Sequence, residues 1–516
     1  MRPSLRVCVP LLAVVVALAG CDAAPQAASA EQVRISAVAG VAIDRPPTEE
    51  VDVQANGLVA GLGGGDLTAY LAQHVRWSAC GKLECASVLA PLDYADPSAR
   101  ALTLAMARKP ATKSPRLGTL FINPGGPGAS GKGFVSSFDT TGLEQYDIVG
   151  WDPRGTGEST PVRCYGGAET DAFLNLDSSP DTEEERTKLI EATYAFGQSC
   201  EEHSGVLLTH ISTIETARDL DLLRQLLGDA TLTYLGYSYG TQIGATYAEL
   251  FPQNTGRLVL DAAVDITDDD AVIQAMGFDL ALGNFASWCA GQACGLGGTK
   301  QEVLDAITGL FDALDAAPLA VKNRVLTQSL AVTGVAAMLY GGTAAWPTLA
   351  TIVVAARNGN GRGLLLAADS QNARNNNGTF GTLFYAFPAI SCLDSDDDKG
   401  VLDADRQWQE DQQKAPIFGK YFGPAYGCAL WPVRPSRQLD IRGVGARPIV
   451  VIGGTGDNAT PYQQAVAMAK QLDSGVLVTH QGEGHGSFGG KSACIDTLVV
   501  NYLVDDVVPE DGVRCS

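Results

Sequence analysis

The stretch Tyr234 to Gly244 reads YLGYSYGTQIG, with Gly236, Ser238 and Gly240 in the pattern Gly-x-Ser-x-Gly. A short apolar run precedes it, and a segment with helical spacing of Ile243, Tyr247 and Leu250 follows. A serine held on a sharp strand-to-helix turn needs this pattern. Its backbone is forced into a strained conformation, and side chains two residues to either side would collide with the neighbouring turn. On such a turn Ser238 projects its hydroxyl into a cleft and is a nucleophile. A glycine-rich turn with an incidental serine reads the same over five residues, so the rest of the chain has to decide.

Other apolar runs ending in turn signals surround this one: GTLFINPGGPG, YDIVGWDPRGTGES and RLVLDAAV before residue 265, then RPIVVIGGTGD and GVLVTHQGEGHG near the end. Fully apolar strands alternating with helices indicate a mainly parallel sheet covered on both faces. Between Asp261 and about Arg447 the segments are mostly helical, too long a stretch for a loop, so residues 262–445 read as a cap inserted into the sheet domain. The domain reading is therefore a core first part at 56–261, the helical cap at 262–445 and a core C-terminal part at 446–516. The run CIDTLVVNYLV closes the chain as a helix.

A serine hydroxyl needs an adjacent base, and the base needs an orienting acid. In α/β-hydrolases these arrive in the order serine, acid, histidine, each on a turn after a strand. Asp457 follows one late strand and His485 follows the next, with room for one helix between them. His480 competes with His485 but lies at the end of the strand run, where a side chain packs or alternates outward. His74, His203 and His210 read as surface or core residues. Glu483 competes with Asp457 but stands too near the histidine along the chain. Developing negative charge needs backbone N–H donors. Tyr239 supplies one, and the turn NPGGPGASG supplies the other from Gly126, with Gly125 as neighbour. That turn lacks the Gly-Lys-Ser/Thr ending of a phosphate-binding loop, and its prolines remove donors. Asp152 and Arg154, in GWDPRGTGES, read as a site-wall turn in which the two pair with each other.

Composition bears on partners and compartment. The formal charge of -22 argues against nucleic acid or an anionic membrane surface. Residues 1–20 carry two arginines and then an apolar run too short for a comfortable membrane span, and so read as a signal peptide. Leu18-Ala19-Gly20-Cys21 resembles a bacterial lipobox, with Cys21 lipidated and residues 21–55 forming tether and lead-in. The protein is then expected to be exported, held by lipid at the outer face of the cytoplasmic membrane, or secreted. Of twelve cysteines, Cys8 leaves with the signal and Cys21 takes lipid. The rest fall into neighbouring couples: Cys80 with Cys85, Cys164 with Cys200, Cys289 with Cys294, Cys392 with Cys428, Cys494 with Cys515. An even set in an exported chain suggests disulfides, with sequential pairing the simplest connectivity. No Cys-x-x-Cys occurs and no histidine stands at ligand spacing from a cysteine pair, so no metal is expected.

Together NPGGPG, GWDPRGTGES, LGYSYGT, GGTGDNATP and GEGHG resemble the secreted bacterial tripeptidyl aminopeptidases, α/β-hydrolase serine exopeptidases related to the prolyl aminopeptidases. The likeness runs from about Trp77 to Cys515. It implies an α/β-hydrolase fold with an inserted, mostly helical cap and a triad of Ser238, Asp457 and His485. It also implies cleavage near a free peptide N-terminus, with no cofactor. Prolyl aminopeptidases carry His-Gly-Gly-Pro-Gly at the oxyanion turn. Here Asn123-Pro124 precede the glycines, which points to the tripeptidyl branch.

An exopeptidase must hold the substrate ammonium with acidic residues. The cluster SCLDSDDDKG makes Asp394 a candidate, against the plainer reading of a solvated acidic loop. Asp394, Asp396, Asp398 and Asp405 also stand at EF-hand-like offsets, but Lys399 occupies the position where that loop requires glycine. Two other functions fit parts of the pattern: an esterase or lipase on the same triad, and a catalytically silent cell-surface binding protein. The sequence leaves oligomeric state open.

Overall fold

The computed structural model describes residues 57–267, 271–395, 400–436 and 438–516. The signal segment, the tether and Cys21 lie outside the described residues, as do Asp396, Asp398 and Lys399.

The strands are β1 (Val59–Ala60), β2 (Ser78–Cys80), β3 (Leu83–Pro91), β4 (Arg100–Lys109), β5 (Gly118–Asn123), β6 (Tyr146–Trp151), β7 (Leu232–Tyr237), β8 (Thr255–Asp261), β9 (Leu319–Val321), β10 (Arg324–Leu326), β11 (Ile449–Gly456), β12 (Gly475–Glu483) and β13 (Val513–Cys515). One sheet runs β13-β12-β11-β8-β7-β5-β6-β4-β3-β2, with β1 on β4. From β13 to β6 every neighbour is parallel. Beyond β6 the sheet turns antiparallel through β4, β3 and β2. This is an α/β-hydrolase fold.

The apolar runs form central strands because both faces are covered. Alternate residues go to opposite sides. Tyr234, Leu258, Leu260 and Val451 join one apolar cluster, and Leu235, Val259, Val450 and Ile452 the other. Register then brings the strand ends to one edge of the sheet: Asn123 pairs with Gly236, Tyr237 with Asp261, and Ile452 with Asp261. Ligands of parallel α/β sheets bind at the carboxyl ends of the strands. Ser238, Asp457 and the turn after β12 all arise there.

Between β8 and β11 the described chain is mostly helical. The helix Lys300–Ala316 shows why. Thr299 Oγ1 accepts the Glu302 N–H at 3.2 Å as an N-cap, and Val303, Ala306, Ile307, Leu310 and Leu314 are buried at helical spacing. The hairpin β9–β10, which periodicity does not announce, turns through Lys322 at φ 55°.

A second difference is larger. The helices Gly167–Leu174 and Glu183–Ser204, counted with the sheet domain from sequence, pack onto the inserted segment. Phe196 stacks on Phe173 at 5.2 Å, meets Phe384 edge-on at 5.8 Å and stacks on Tyr385 at 6.3 Å. Aromatic contacts between residues so distant along the chain leave no periodic signal. The described cysteines are joined as sequential neighbours: Cys80–Cys85, Cys164–Cys200, Cys289–Cys294, Cys392–Cys428 and Cys494–Cys515. Among the described residues no helix is long and apolar enough to cross a membrane.

Candidate active site

Ser238 sits between β7 and the helix Tyr239–Leu250 with φ 55° and ψ -129°, a conformation that costs a non-glycine residue about 1–3 kcal/mol. Its N–H donates to the Asp261 carbonyl at 3.0 Å, and its own carbonyl accepts the Thr241 N–H at 2.8 Å. Gly236 is sterically required, and Gly240 leaves little room for a side chain. A Cβ at Gly236 would stand 2.5 Å from the Gly240 carbonyl oxygen, and one at Gly240 would stand 3.0 Å from that of Asn123. Gly236→Ala is therefore expected to lower stability by about 1–3 kcal/mol and to lower turnover as well. Denaturant unfolding and a turnover assay on the folded fraction read the two effects. Wild-type values for both would refute the steric account.

His485 follows β12 on a glycine turn, with its side chain 13% exposed. Its Nδ1 lies 2.8 and 3.0 Å from the two carboxylate oxygens of Asp457. An Nδ1–H given to Asp457 leaves Nε2 as the free base. Asp457 is 1% exposed and also accepts the N–H groups of Ala459 and Thr460, each at 2.9 Å. Burial by itself would push this carboxyl up. The His485 imidazole and the two N–H donors outweigh it and hold Asp457 below the ordinary range. Thr460 Oγ1 is 3.4 Å from His485 Nδ1.

Two residues invisible to sequence reasoning fix this turn. The Tyr340 carbonyl, from the helical insertion, accepts the His485 N–H at 3.0 Å, and its ring meets the imidazole edge-on at 5.3 Å. Asp261, fully buried, accepts the N–H groups of Ser487 and Phe488 at 2.9 and 2.7 Å. Because its carbonyl also takes the Ser238 N–H, Asp261 ties the serine turn to the histidine turn. Burial pushes its carboxyl up, against the pull of those two donors. Ser238 Oγ donates to no acceptor among the described residues. Nucleophile–base contacts commonly tighten only when substrate binds.

The turn after β5 lies on the serine turn. A Cβ at Gly125 would be 2.9 Å from Ser238 Cβ and 3.0 Å from the Tyr239 nitrogen. The Gly125 N–H is already given to Asn123 Oδ1 at 2.8 Å. Among the described residues, the N–H groups of Gly126 and Tyr239 have no acceptor. Two donors thus remain on the two turns that meet at Gly125 and Ser238.

The competing residues are engaged elsewhere. His480 is 4% exposed, with Nδ1 3.1 Å from Ser487 Oγ. Glu483 accepts from Asn284 Nδ2 at 3.0 Å. Asp152 and Arg154 do not pair with each other as expected. Asp152 takes Ser130 Oγ at 2.6 Å and the Glu158 N–H at 2.8 Å. Arg154, fully buried, donates to Asp219 at 2.8 and 2.6 Å. Asp219 wins because it reaches the guanidinium in bidentate fashion from a helix. Asp405 binds Arg186 and Tyr426. Asp394, the expected ammonium anchor, is 6% exposed and accepts the Thr213 N–H at 2.9 and 3.2 Å. Burial pushes its carboxyl up to about 7.

This arrangement has named relatives. The family described as TAP-like protein matches residues 415–515, which contain Asp457 and His485. Serine protease Hip1 of Mycobacterium tuberculosis is 36% identical over 483 residues, covering 86% of this chain and 91% of that protein. Carboxylesterase B of the same organism is 34% identical over 454 residues, covering 84% and 86%. Tripeptidyl aminopeptidase of Streptomyces lividans is 31% identical over 465 residues, covering 85% of each. Likeness of this depth along most of the chain makes this protein a serine hydrolase of the TAP-like α/β-hydrolase family.

Proposed function

We propose that this protein is an exported serine peptidase that releases short peptides, tripeptides foremost, from the free N-terminus of peptide substrates. The observation that carries the reading is the His485–Asp457 pair, oriented by Nδ1 and tied through Asp261 to the turn of a strained Ser238. Ser238 Oγ attacks the scissile carbonyl and His485 Nε2 takes its proton. Asp457 stabilises the imidazolium, while the Tyr239 and Gly126 N–H groups receive the oxyanion. The leaving amine collects the proton, and water then hydrolyses the acyl-enzyme by the same base. No metal or organic cofactor enters these steps.

The substrate class comes from relatives named for serine protease and tripeptidyl aminopeptidase activity. Residues 262–445 are proposed as the cap that limits access, since Tyr340 and the helix Leu383–Asp394 reach the site from there. Export is supported by residues 1–20 and by the paired cysteines, and lipid attachment by Cys21. An esterase reading stands second, favoured by the relative named carboxylesterase B.

The test sets four matched chromogenic substrates before the full-length protein: a free-N-terminus tripeptide, a free single amino acid, an N-blocked tripeptide and a short-chain ester. Release from the free tripeptide, with the blocked one inert, is expected. Ester cleavage without any peptide cleavage would overturn the peptidase reading and keep the hydrolase.

A further inference from the structure

The helix Leu383–Asp394 packs against the glycine turn of one candidate oxyanion donor at its start and reaches the other through Thr213 at its end. At its start, Leu383 Cδ1 lies 3.3 Å from where a Cβ of Gly126 would be, and Ala386 Cβ lies 2.9 Å from that of Gly128. The preceding Thr382 accepts the Gly157 N–H at 2.7 Å. At its other end Asp394 meets Thr213, and Thr213 meets Tyr239.

The hydrogen count gives that second contact a direction. Thr213 Oγ1 has a single hydrogen and donates it to Asp394 Oδ2 at 2.5 Å. With Asp394 as the carboxylate, the Tyr239 hydroxyl, which shares a hydrogen bond with the same Oγ1, is then the donor. The chain runs Tyr239 O–H to Thr213 Oγ1–H to Asp394, with all three residues 3–6% exposed. It joins three segments far apart in sequence and ends on the residue that follows Ser238. Capping accounts for the Thr213 N–H that Asp394 accepts, but not for the two hydroxyls. The helix Thr213–Leu226 already has Ser212 as N-cap, whose side chain accepts the Glu215 N–H at 3.3 Å. A cap on that helix needs neither the Thr213 hydroxyl nor the Tyr239 phenol.

We propose that Asp394 is a positioning residue for the oxyanion hole, holding the Tyr239 N–H in place through Thr213 and the Tyr239 phenol. This rests on Ser238 being the nucleophile, and it takes Asp394 out of the ammonium-binding role. A buried carboxylate satisfied by one threonine is poorly placed to receive a substrate cation. The disulfide Cys392–Cys428 braces the helix two residues before Asp394.

An oxyanion donor acts in the transition state, so a displaced donor lowers kcat and spares KM. Loss of a whole donor costs about 10²–10³-fold. Displacement by loss of its support is expected to cost about 10–100-fold. The experiment compares Asp394→Ala, Thr213→Val and Tyr239→Phe on free-N-terminus peptide and on ester, together with the rate at which a fluorophosphonate labels Ser238. All three variants are expected to lose kcat on both substrates, with KM within about twofold, and labelling slows in parallel. Asp394→Asn and Thr213→Ser, which keep an acceptor and a hydroxyl, recover part of the loss. The double variant Asp394→Ala/Thr213→Val falls little further than either single one, because both interrupt one chain.

Tyr239→Phe removes one oxygen and keeps the ring, so the test survives if Asp394→Ala does not fold. A rise in KM confined to free-N-terminus peptides, with ester turnover and labelling untouched, would return Asp394 to the ammonium site and overturn the proposal. Wild-type kcat in all three variants would overturn it too. If the wild-type protein cleaves no peptide, the ester and labelling arms still decide, and only the peptidase reading fails. Absence of labelling at Ser238 would remove both.

Discussion

Ser238→Ala is expected to lower kcat/KM by about 10⁶-fold and to abolish fluorophosphonate labelling. In an acyl-enzyme mechanism no other group can form the covalent bond, so what remains is the background of binding and oxyanion stabilisation. The fold should be untouched. Alanine meets the same positive φ of 55° that serine meets, and Ser238 Oγ holds no partner among the described residues. Substrate binding should therefore persist, visible as a KM-like dissociation constant for a non-hydrolysed peptide. Residual activity within tenfold of wild type, from a preparation free of contaminating peptidase, would rule Ser238 out as the nucleophile.

For Asp457→Asn, kcat should fall about 10⁴-fold, because the amide fixes the wrong tautomer of the base. In the wild-type protein both carboxylate oxygens face His485 Nδ1, so the proton sits on Nδ1 and Nε2 stays unprotonated. Asparagine can place its own NH₂ against Nδ1, turning that nitrogen into an acceptor and putting the hydrogen on Nε2. A stability effect with a definite sign accompanies this. The carboxyl is held below its ordinary range in the folded state. Its contribution is thus complete above the unfolded pKa near 4 and is lost as pH falls through the lower folded value. Thermal unfolding followed from pH 6 down to 3 should show that acid-side loss in wild type and less of it in the variant. Near-normal turnover in the Asp457→Asn variant would point instead to Asp261, the other carboxylate packed against the histidine turn.

Local rules made much of the chemistry readable. A serine on a strained turn needs small neighbours within two residues, and a helix shows its buried face at every third or fourth position. These signals act over a few residues, so Ser238, the strands around it and the helical insertion stand out in one dimension. Chain order then pairs a late aspartate with a late histidine, and sequential cysteines with each other. The unreadable parts all depend on register between distant segments. Ile452 pairs with Asp261 across the sheet, and this brings a residue from the middle of the chain under the histidine turn. Arg154 finds Asp219 instead of its neighbour Asp152 for the same reason.

Asp394 is the sharpest case. In one dimension it is an acidic residue in an acidic loop, available to a cation. In three dimensions its helix ends against Thr213, where burial removes it from solvent and two hydrogen bonds claim its carboxyl. Which residues are candidates for the chemistry followed from local sterics and spacing. Which carboxylate meets which donor was settled only by packing, because a side chain's partner and its exposure are properties of the assembled layers and not of its neighbours along the chain.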